Sequence, residues 1–557
     1  MTDSLTIALA QTNPTVGGVT ANADLVRTVR AEAAKAGADV VVFSELNISG
    51  YPPEDLVFRP SFLDAVEEEV NKLAAETADG GPALIIGAPW RDGEACYNAV
   101  LALDGGEIKG ARFKHHLPNY GVFDEKRVFA SGPLAGPVVV RGVRLGLMVC
   151  EDMWFEDSAE TLSETGAEIL IVPNGSPFEL DKDDVRLSHA VARVSESGLP
   201  LVYVNQVGGQ DDLAFDGGSF VLNASRVLAV QAKWWQTETV LTSWTKNGDA
   251  WTSAEGERAA PPDRLDNIYQ AMMLGLRDYV GKNRFPGIVL GLSGGIDSAI
   301  SAVVAADALG PDKVHCVMMP SPYTSQDSLD DATALAENLG VKLDSINIGY
   351  AMEAFGGMLA PHFSGTTPDT TEENIQSRIR GLTLMALSNK FGGMVLSTGN
   401  KSEVSVGYAT LYGDMCGGFN VLKDVYKTTV TALSDWRNKH KPEGALGPEG
   451  AVMPERIITK PPTAELRPDQ KDEDSLPPYA ELDAILKGFI ENERSISDMI
   501  ADSYEDDTVR RIWRLLRIAE YKRRQASPGV KISHLSFGRD HRYPITNAFD
   551  GDAPKKA

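Results

Sequence analysis

Cysteine is scarce in this chain. Four residues in 557, at Cys96, Cys150, Cys316 and Cys416, are too few and too scattered for a disulfide framework or a cysteine zinc module. Such usage points to a reducing compartment, the cytoplasm. Long apolar runs are missing too: no stretch approaches the length of about eighteen apolar residues that a membrane-spanning helix needs. The opening Met1-Thr2-Asp3-Ser4 lacks a basic segment followed by an apolar one, so no secretory leader is expected. Positive charge is in deficit. With 53 Lys and Arg against 78 Asp and Glu, the net charge of −25 argues against broad electrostatic binding of nucleic acid or anionic membranes. Small anionic ligands held by local loops stay open. Internal repeats and low-complexity segments are absent. What is present is ordinary globular composition, 43% hydrophobic, in a chain too long for one core of at most about 250–300 residues.

Short apolar strands alternate with helical stretches through the first half. Leu5–Ala10, Val40–Phe43, Ala83–Ala88, Ala99–Leu103, Val143–Val149, Glu168–Val172 and Leu199–Val204 read as strands. Ala21–Ala36 reads as a helix, and Asp104-Gly105-Gly106 as a hairpin turn. This interleaving predicts layered sheets covered by helices. Residues 247–263, with Gly248, Gly256, Pro261 and Pro262 and no periodic apolar face, are expected to link domain 1–246 to domain 264–557. A second α/β series follows. The helix Arg264–Asn283 precedes strands at 287–290, Val314–Met319, Leu343–Ile348 and Met394–Ser397, a doubly wound pattern with ligands at the strands' C-terminal ends. Gly444–Tyr479 reads as a long mobile loop, and Ala480–Glu491, Ser497–Asp502 and Asp507–Gln525 as a helical tail.

The most informative segment is Gly291-Leu292-Ser293-Gly294-Gly295-Ile296-Asp297-Ser298, set between an apolar strand and a helical run. Unpaired amides and the dipole at a helix N-terminus favour an anion. Gly294 and Gly295 would let backbone approach a phosphate, Ser293 and Ser298 add hydroxyls, and Asp297 suits a nucleotide-borne Mg²⁺. The G-K-[ST] ending of a Walker loop is missing. The S-G-G-x-D-S pattern resembles the pyrophosphate loop of N-type ATP pyrophosphatases, which cleave ATP to AMP and pyrophosphate while adenylating a substrate.

Cys150 ends an apolar strand, a good position for a nucleophile. Glu45, in Phe43-Ser44-Glu45-Leu46, and Lys114, in Phe113-Lys114-His115-His116-Leu117-Pro118, precede it in order. With Cys150-Glu151-Asp152 these segments resemble the Glu–Lys–Cys triad of the nitrilase superfamily. The resemblance implies an α-β-β-α sandwich, with Glu45 as general base, Lys114 holding the oxyanion and Cys150 attacking a carboxamide. Within that superfamily Asn119 to Glu125 and Asn174 to Phe178 resemble glutaminase domains. That implies glutamine contacts from Tyr120, Ser176 and Lys182, with Glu125 supporting the triad. His115 and His116 are expected to be supporting or surface residues.

In the second half, Leu396 to Glu403, Val406 to Asp414 and Lys423 to Thr428 resemble NAD synthetases. The resemblance implies that Thr398 contacts ATP, that Asn374, Glu403, Asp414, Lys427 and Lys522 contact deamido-NAD, and that Asp297, Glu403 and Thr463 meet Mg²⁺. Pro462 to Pro468 and Asp472 to Tyr479 match that family's lid. The cluster Arg510, Arg511, Arg514, Arg517 and Lys522 to Arg524 reads equally well as an interface face.

From Leu5 to about Tyr543 the chain resembles the glutamine-dependent NAD synthetases. These pair a nitrilase-type glutaminase with a Rossmann-like ATP pyrophosphatase and pass ammonia through a sealed passage, and the resemblance implies a homo-oligomer, an octamer. The implied substrates are L-glutamine, deamido-NAD and ATP, with Mg²⁺; no nucleic-acid or membrane partner is expected. Three alternatives stand at this level. A tRNA-modifying ATP pyrophosphatase would want a basic face and more cysteine; a scaffold would carry relic sites; a plain amidase would ignore ATP.

Overall fold

The computed structural model describes residues 3–549 and 551, apart from 469, 471 and 475. Met1 and Thr2 of the leader reading, and Ser475 of the lid motif, therefore lie outside the described residues. The chain divides into two compact units, Met1–Pro262 and Asp263–Ala557.

In the first unit strand alternation builds two cores at once. Leu5, Ile7 and Leu9 of the strand Ser4–Gln11 face one side, and Ala8 and Ala10 the other. The second set packs with the helices Val19–Lys35 and Pro60–Glu76 through Val26, Val66 and Val70. The first set meets Leu145, Ile169, Ile171, Val202 and Val204 of another sheet. That sheet's opposite face, with Leu170 and Val172, is covered by the helices Glu156–Glu164 and Lys182–Ser197. Helix, sheet, sheet and helix thus form four layers, with the central strands buried on both faces.

The first sheet runs Ala250–Ser253, Glu238–Asn247, Ser4–Gln11, Val40–Val42, Ala83–Asp92, Ala95–Asp104, Glu107–Phe113. The second runs Leu228–Gln231, Phe220–Leu222, Leu201–Asn205, Ile169–Asn174, Val143–Leu147, Val138–Val140. The stretch expected to be linker from 247 departs from that reading. Ala250–Ser253 pairs antiparallel with Glu238–Asn247, and Trp251 is buried in the core. Gly248, at φ 65°, makes the hairpin turn that the sequence alone presents as a breaker.

In the second unit a parallel sheet runs Lys342–Ser345, Val314–Met318, Ile288–Gly291, Met394–Ser397, Phe419–Asn420. In chain order this is 3-2-1-4-5, so winding reverses between Ile288–Gly291 and Met394–Ser397. The crevice beyond their C-terminal ends is the expected ligand position. The helix Ile296–Leu309 leaves that point almost wholly buried. It packs against the helices Arg264–Lys282 and Lys427–Lys439. Buried Arg437 binds Asp307 through Nε at 2.7 Å and Nη2 at 3.0 Å, and Tyr269 donates to the same carboxylate at 2.5 Å. One charge pair so ties three helices together, and removing either member would leave the other a buried charge with no counter-ion in the pair.

Two expectations need correction. Gly444–Tyr479 is not a featureless loop. It carries the helix Glu455–Thr459, buries Val452, Met453 and Ile457, and is tethered by Arg437 to Pro448 O at 2.7 Å and Asn438 to Met453 O at 2.8 Å. Side-chain donors here replace the ladders that periodicity would reveal. The helix expected from Asp507 to Gln525 is not continuous either. The tail helix breaks into Asp506–Ile518 and Glu520–Arg523, and Arg523 turns inward to Glu520, Ser405 O and Leu516 O.

Candidate active sites

In the first unit three strand ends converge. Glu45 follows Val40–Val42, Lys114 follows Glu107–Phe113, and Cys150 opens the turn after Val143–Leu147. Glu45 and Lys114 are fully buried, and Cys150 is 8% exposed. Lys114 Nζ sits 2.7 Å from Glu45 Oε1 and 2.9 Å from Glu125 Oε1. Glu45 is held further by Asn98 Nδ2 at 2.7 Å and by the Gly175 amide at 2.8 Å. Tyr51 donates to Glu125 at 2.8 Å. Sequence reasoning missed Asn98 and Tyr51, which sit in no motif.

Burial opposes charge on Lys114, but Glu125 and Glu45 outweigh it and hold the ammonium well above its usual range. Burial raises the Glu125 carboxyl. Burial, then the Glu45 carboxylate, push the Cys150 thiol up against the pull of Lys114. The resting sulfur is therefore protonated, and the site requires a base beside it. Cys150 also adopts φ 45°, a left-handed backbone costing about 1–2 kcal/mol in a non-glycine residue.

The expected glutamine contacts fall into two groups. Tyr120 is 53% exposed and donates to Glu151 Oε1 at 2.9 Å. Lys182 opens the helix Lys182–Ser197, lies 5.6 Å from the Phe123 ring, and its charge reaches Glu151. Ser176 is buried, and its Oγ accepts from Arg186 Nε at 3.1 Å. Arg186 is itself paired with Asp216 at 2.8 Å. Glu151 and Arg186 had no sequence signal beyond adjacency to Cys150 and to a motif.

In the second unit the phosphate loop lies at the winding reversal. Gly294 has φ 79°, and a Cβ there would stand 2.3 Å from Ser328 O. Gly295 differs from expectation. Its φ of −85° suits any residue, and a Cβ would meet only Ser293 Oγ, at 3.3 Å. Gly295 caps the helix Ile296–Leu309 with no side-chain acceptor, leaving that end to an anion. Ser298 Oγ contacts Ser293 Oγ at 3.0 Å and bonds Gly295 O at 3.0 Å, bracing the turn.

Two clefts flank this loop. One, of about 220 Å³, takes in Ser293, Gly295, Asp297, Thr398, Glu403, Asp414, Lys427 and Thr463. The other, of about 260 Å³, takes in Gly291, Leu292, Thr398 and the apolar Val317, Met319, Leu384 and Leu396. Lys427 Nζ is bonded to Asp297 Oδ2 and lies 3.5 Å from Glu403 Oε1. Lys427 is aimed by its neighbours: its amide donates to Ser402 Oγ at 2.9 Å, and Thr428 donates to Asp483. Asn400 caps the helix Lys401–Val406 and reaches Asp297 Oδ1 at 2.9 Å. Burial, then the Asp297 charge, push Glu403 up to about 8, with Lys427 opposing. Burial raises Asp414 to about 6.

Asn374 and Lys522 are not among the residues lining these two clefts. Asn374 Oδ1 accepts from Thr410 Oγ1 at 2.8 Å, and the Thr410 amide donates to Asp414 at 2.7 Å. Lys522 Nζ donates to Gly407 O at 2.7 Å and Ala409 O at 2.6 Å. Both hold the segment that carries Asp414. Thr463 lines the polar cleft but gives its hydroxyl hydrogen to Gln470 O at 2.6 Å.

Comparison with known proteins supports both halves. Residues 6–247 match the carbon-nitrogen hydrolase family and residues 268–526 the NAD synthase family. The chain is 50% identical over 547 residues to a glutamine-dependent NAD(+) synthetase of Rhodobacter capsulatus, covering 98% of this chain and 99% of that one. The chain belongs to the glutamine-dependent NAD(+) synthetases. A Xanthomonas campestris member is 45% identical, with 98% of each chain covered. The Acinetobacter baumannii synthetase, solved with adenosine diphosphate, is 40% identical, with a TM-score of 0.78 over 98% of this chain and 99% of that one. The enzyme is thus a ligase that uses ATP and glutamine to form NAD(+). Among the described residues no helix is long and apolar enough to cross a membrane.

Proposed function

We propose that Cys150 attacks the side-chain amide of glutamine while Glu45 takes the thiol proton and returns it to the leaving ammonia. Lys114 faces the developing oxyanion as its fixed counter-charge. A thioester to Cys150 results, and water activated by Glu45 releases glutamate. Tyr120, Glu151, Ser176 and Lys182 hold the amino-acid end, where a cation and a carboxylate match the two charges of the substrate. Glu125 and Tyr51 keep Lys114 in place. The observation that carries this reading is the buried Glu45–Lys114–Glu125 cluster, held at 2.7 and 2.9 Å beside a protonated nucleophile.

The Gly291–Ser298 loop and Thr398 cradle ATP, with adenine on the apolar side. The nicotinate carboxylate of deamido-NAD attacks the α-phosphorus, and pyrophosphate leaves. Ammonia then displaces AMP from the acyl carbon, giving NAD(+). Asp414 and Lys427 face the nicotinate side, with Asn374 and Lys522 positioning the Asp414 segment. Asp297 and Glu403, with the Thr463 oxygen beside them, are hard donors that fit Mg²⁺. The metal would supply charge neutralisation at the phosphates. A cytoplasmic, octameric enzyme is the corresponding cellular form, which light scattering checks.

Glu45→Gln keeps the shape but removes the base. Glutamine-driven NAD(+) formation is expected to fall by about 10²–10⁴-fold, with ammonium-driven formation unchanged. Equal loss with both nitrogen sources would reject the assignment.

Glu403 gives a pH signature. Its carboxyl is raised from 4.5 to about 8, so folding is favoured while it is protonated. That contribution is complete below pH 4.5 and is lost as pH rises to about 8. Melting temperature of the metal-free wild type should therefore fall over this window relative to Glu403→Gln. Parallel curves would contradict the burial of that charge.

A further inference from the structure

We propose that His115, His116 and Asp157 form a site for a divalent transition metal of the zinc class, and that filling it damps glutamine hydrolysis. One donor atom from each residue lies within 4.8 Å of the others. His115 Nδ1 is 2.6 Å from Gly132 O, which can only accept. That partner places the proton on Nδ1 and leaves the Nε2 lone pair outward, as in metal-bound imidazoles. His116 Nε2 lies 2.8 Å from Asp157 Oδ1, and His115 Nε2 lies 4.0 Å from Asp157 Oδ2. The His116 ring is stacked on Phe155 at 3.9 Å and crosses His115 at 90°.

Zinc donors stand about 3.3 Å apart around a tetrahedral ion. Rotation of the Asp157 carboxylate and the His116 ring closes the remainder. The side chains are 31%, 20% and 41% exposed, which admits the ion and leaves a fourth position for water. Two imidazoles with one carboxylate select zinc, cobalt or nickel over magnesium.

The link to catalysis runs through the backbone. The amides of His115 and His116 both donate to Asp152 Oδ1, at 3.0 and 2.8 Å. Asp152 Oδ2 accepts from the Val149 amide at 3.1 Å. Lys114 and Cys150 are the residues next in chain to this clamp. An ion drawing the two histidines toward Asp157 shifts the peptide that carries Lys114 and the turn that carries Cys150. A displacement of about 1 Å at reacting groups costs about 10²-fold in rate. This second half rests on the roles proposed above for Lys114 and Cys150; the binding does not.

The test uses the full chain. Calorimetric titration with ZnCl₂, and visible absorption with CoCl₂, should show one ion per chain that depends on His116 and Asp157 in Cys150→Ala, which removes the thiol next to the clamp. His116→Gln and Asp157→Asn added to that background should each weaken binding more than tenfold. Zinc should then lower glutamine-driven NAD(+) formation more than tenfold in the wild type, spare ammonium-driven formation, and have no effect on His116→Gln. Absent stoichiometric binding, or binding unchanged in both variants, overturns the site. Binding without loss of glutamine-driven rate overturns the damping. A wild type that fails on glutamine without added zinc refutes the roles of Lys114 and Cys150 instead, while the binding titration still decides the site.

Discussion

Cys150→Ala abolishes glutamine-driven NAD(+) formation, by at least about 10³-fold, and leaves ammonium-driven formation within about twofold of wild type. The first half of this expectation follows from chemistry. Glu45 and Lys114 have no sulfur to deprotonate or acyl transfer to stabilise once the thiol is gone, and a methyl group cannot form the thioester. The second half follows from architecture. Cys150 belongs to the unit Met1–Pro262, whereas the Gly291–Ser298 loop and the two clefts beside it belong to Asp263–Ala557. The substitution is mild for folding, because alanine meets the same backbone at φ 45° and loses only a small buried sulfur. Parallel rates of NAD(+) formation with glutamine and with ammonium decide it. Retained glutamine use would place the nucleophile elsewhere, and loss of both activities would mean that the lesion is in folding.

Gly294→Ala removes NAD(+) formation with either nitrogen source, by about 10²-fold or more in kcat/KM for ATP, while Gly295→Ala stays within about fivefold. The two glycines are adjacent and equivalent in sequence, but the backbone separates them. At Gly294 a side chain meets the left-handed penalty of about 1–2 kcal/mol and a clash at 2.3 Å with Ser328 O, on the helix Gln326–Leu339. A carbonyl inside a helix cannot step aside as a flexible side chain would. The phosphate turn must open instead, and the amides that it aims lose their common focus. At Gly295 only the Ser293 hydroxyl has to give, from 3.3 Å. Glutamine hydrolysis is the control, unchanged in both variants. Equal damage from the two would mean that phosphate approach, and not backbone conformation, selects the second glycine.

Much of this enzyme was legible because its chemistry sits where local pattern is strongest. Glu45, Cys150, the Gly291–Ser298 loop and Thr398 all follow apolar strands, and a strand end announces itself by composition alone, whereas Lys114 follows the polar strand Glu107–Phe113 and was legible only through its motif. Their order along the chain then suffices to match them to a family. Net charge and sparse cysteine likewise narrow the partners without any coordinates.

What only the tertiary structure decided concerns residues far apart in sequence. Asn98 lies inside a strand with nothing to mark it, yet it is a hydrogen-bond partner of Glu45 53 positions away. Lys427 belongs to a recognisable motif, but its pairing with Asp297, 130 positions distant, depends on how two helices pack. Lys522 and Asn374 are expected as ligand contacts, and only the fold reveals their bonds to Ala409 O and Thr410 in the segment before Asp414. Pro448 and Met453 lie in a stretch with the composition of a loose loop, and their carbonyls are bound by Arg437 and Asn438. The physical reason is common to all four. Periodicity and motif report on neighbours within a few residues, whereas hydrogen bonds closed across packed elements depend on the relative placement of those elements, which no local window contains.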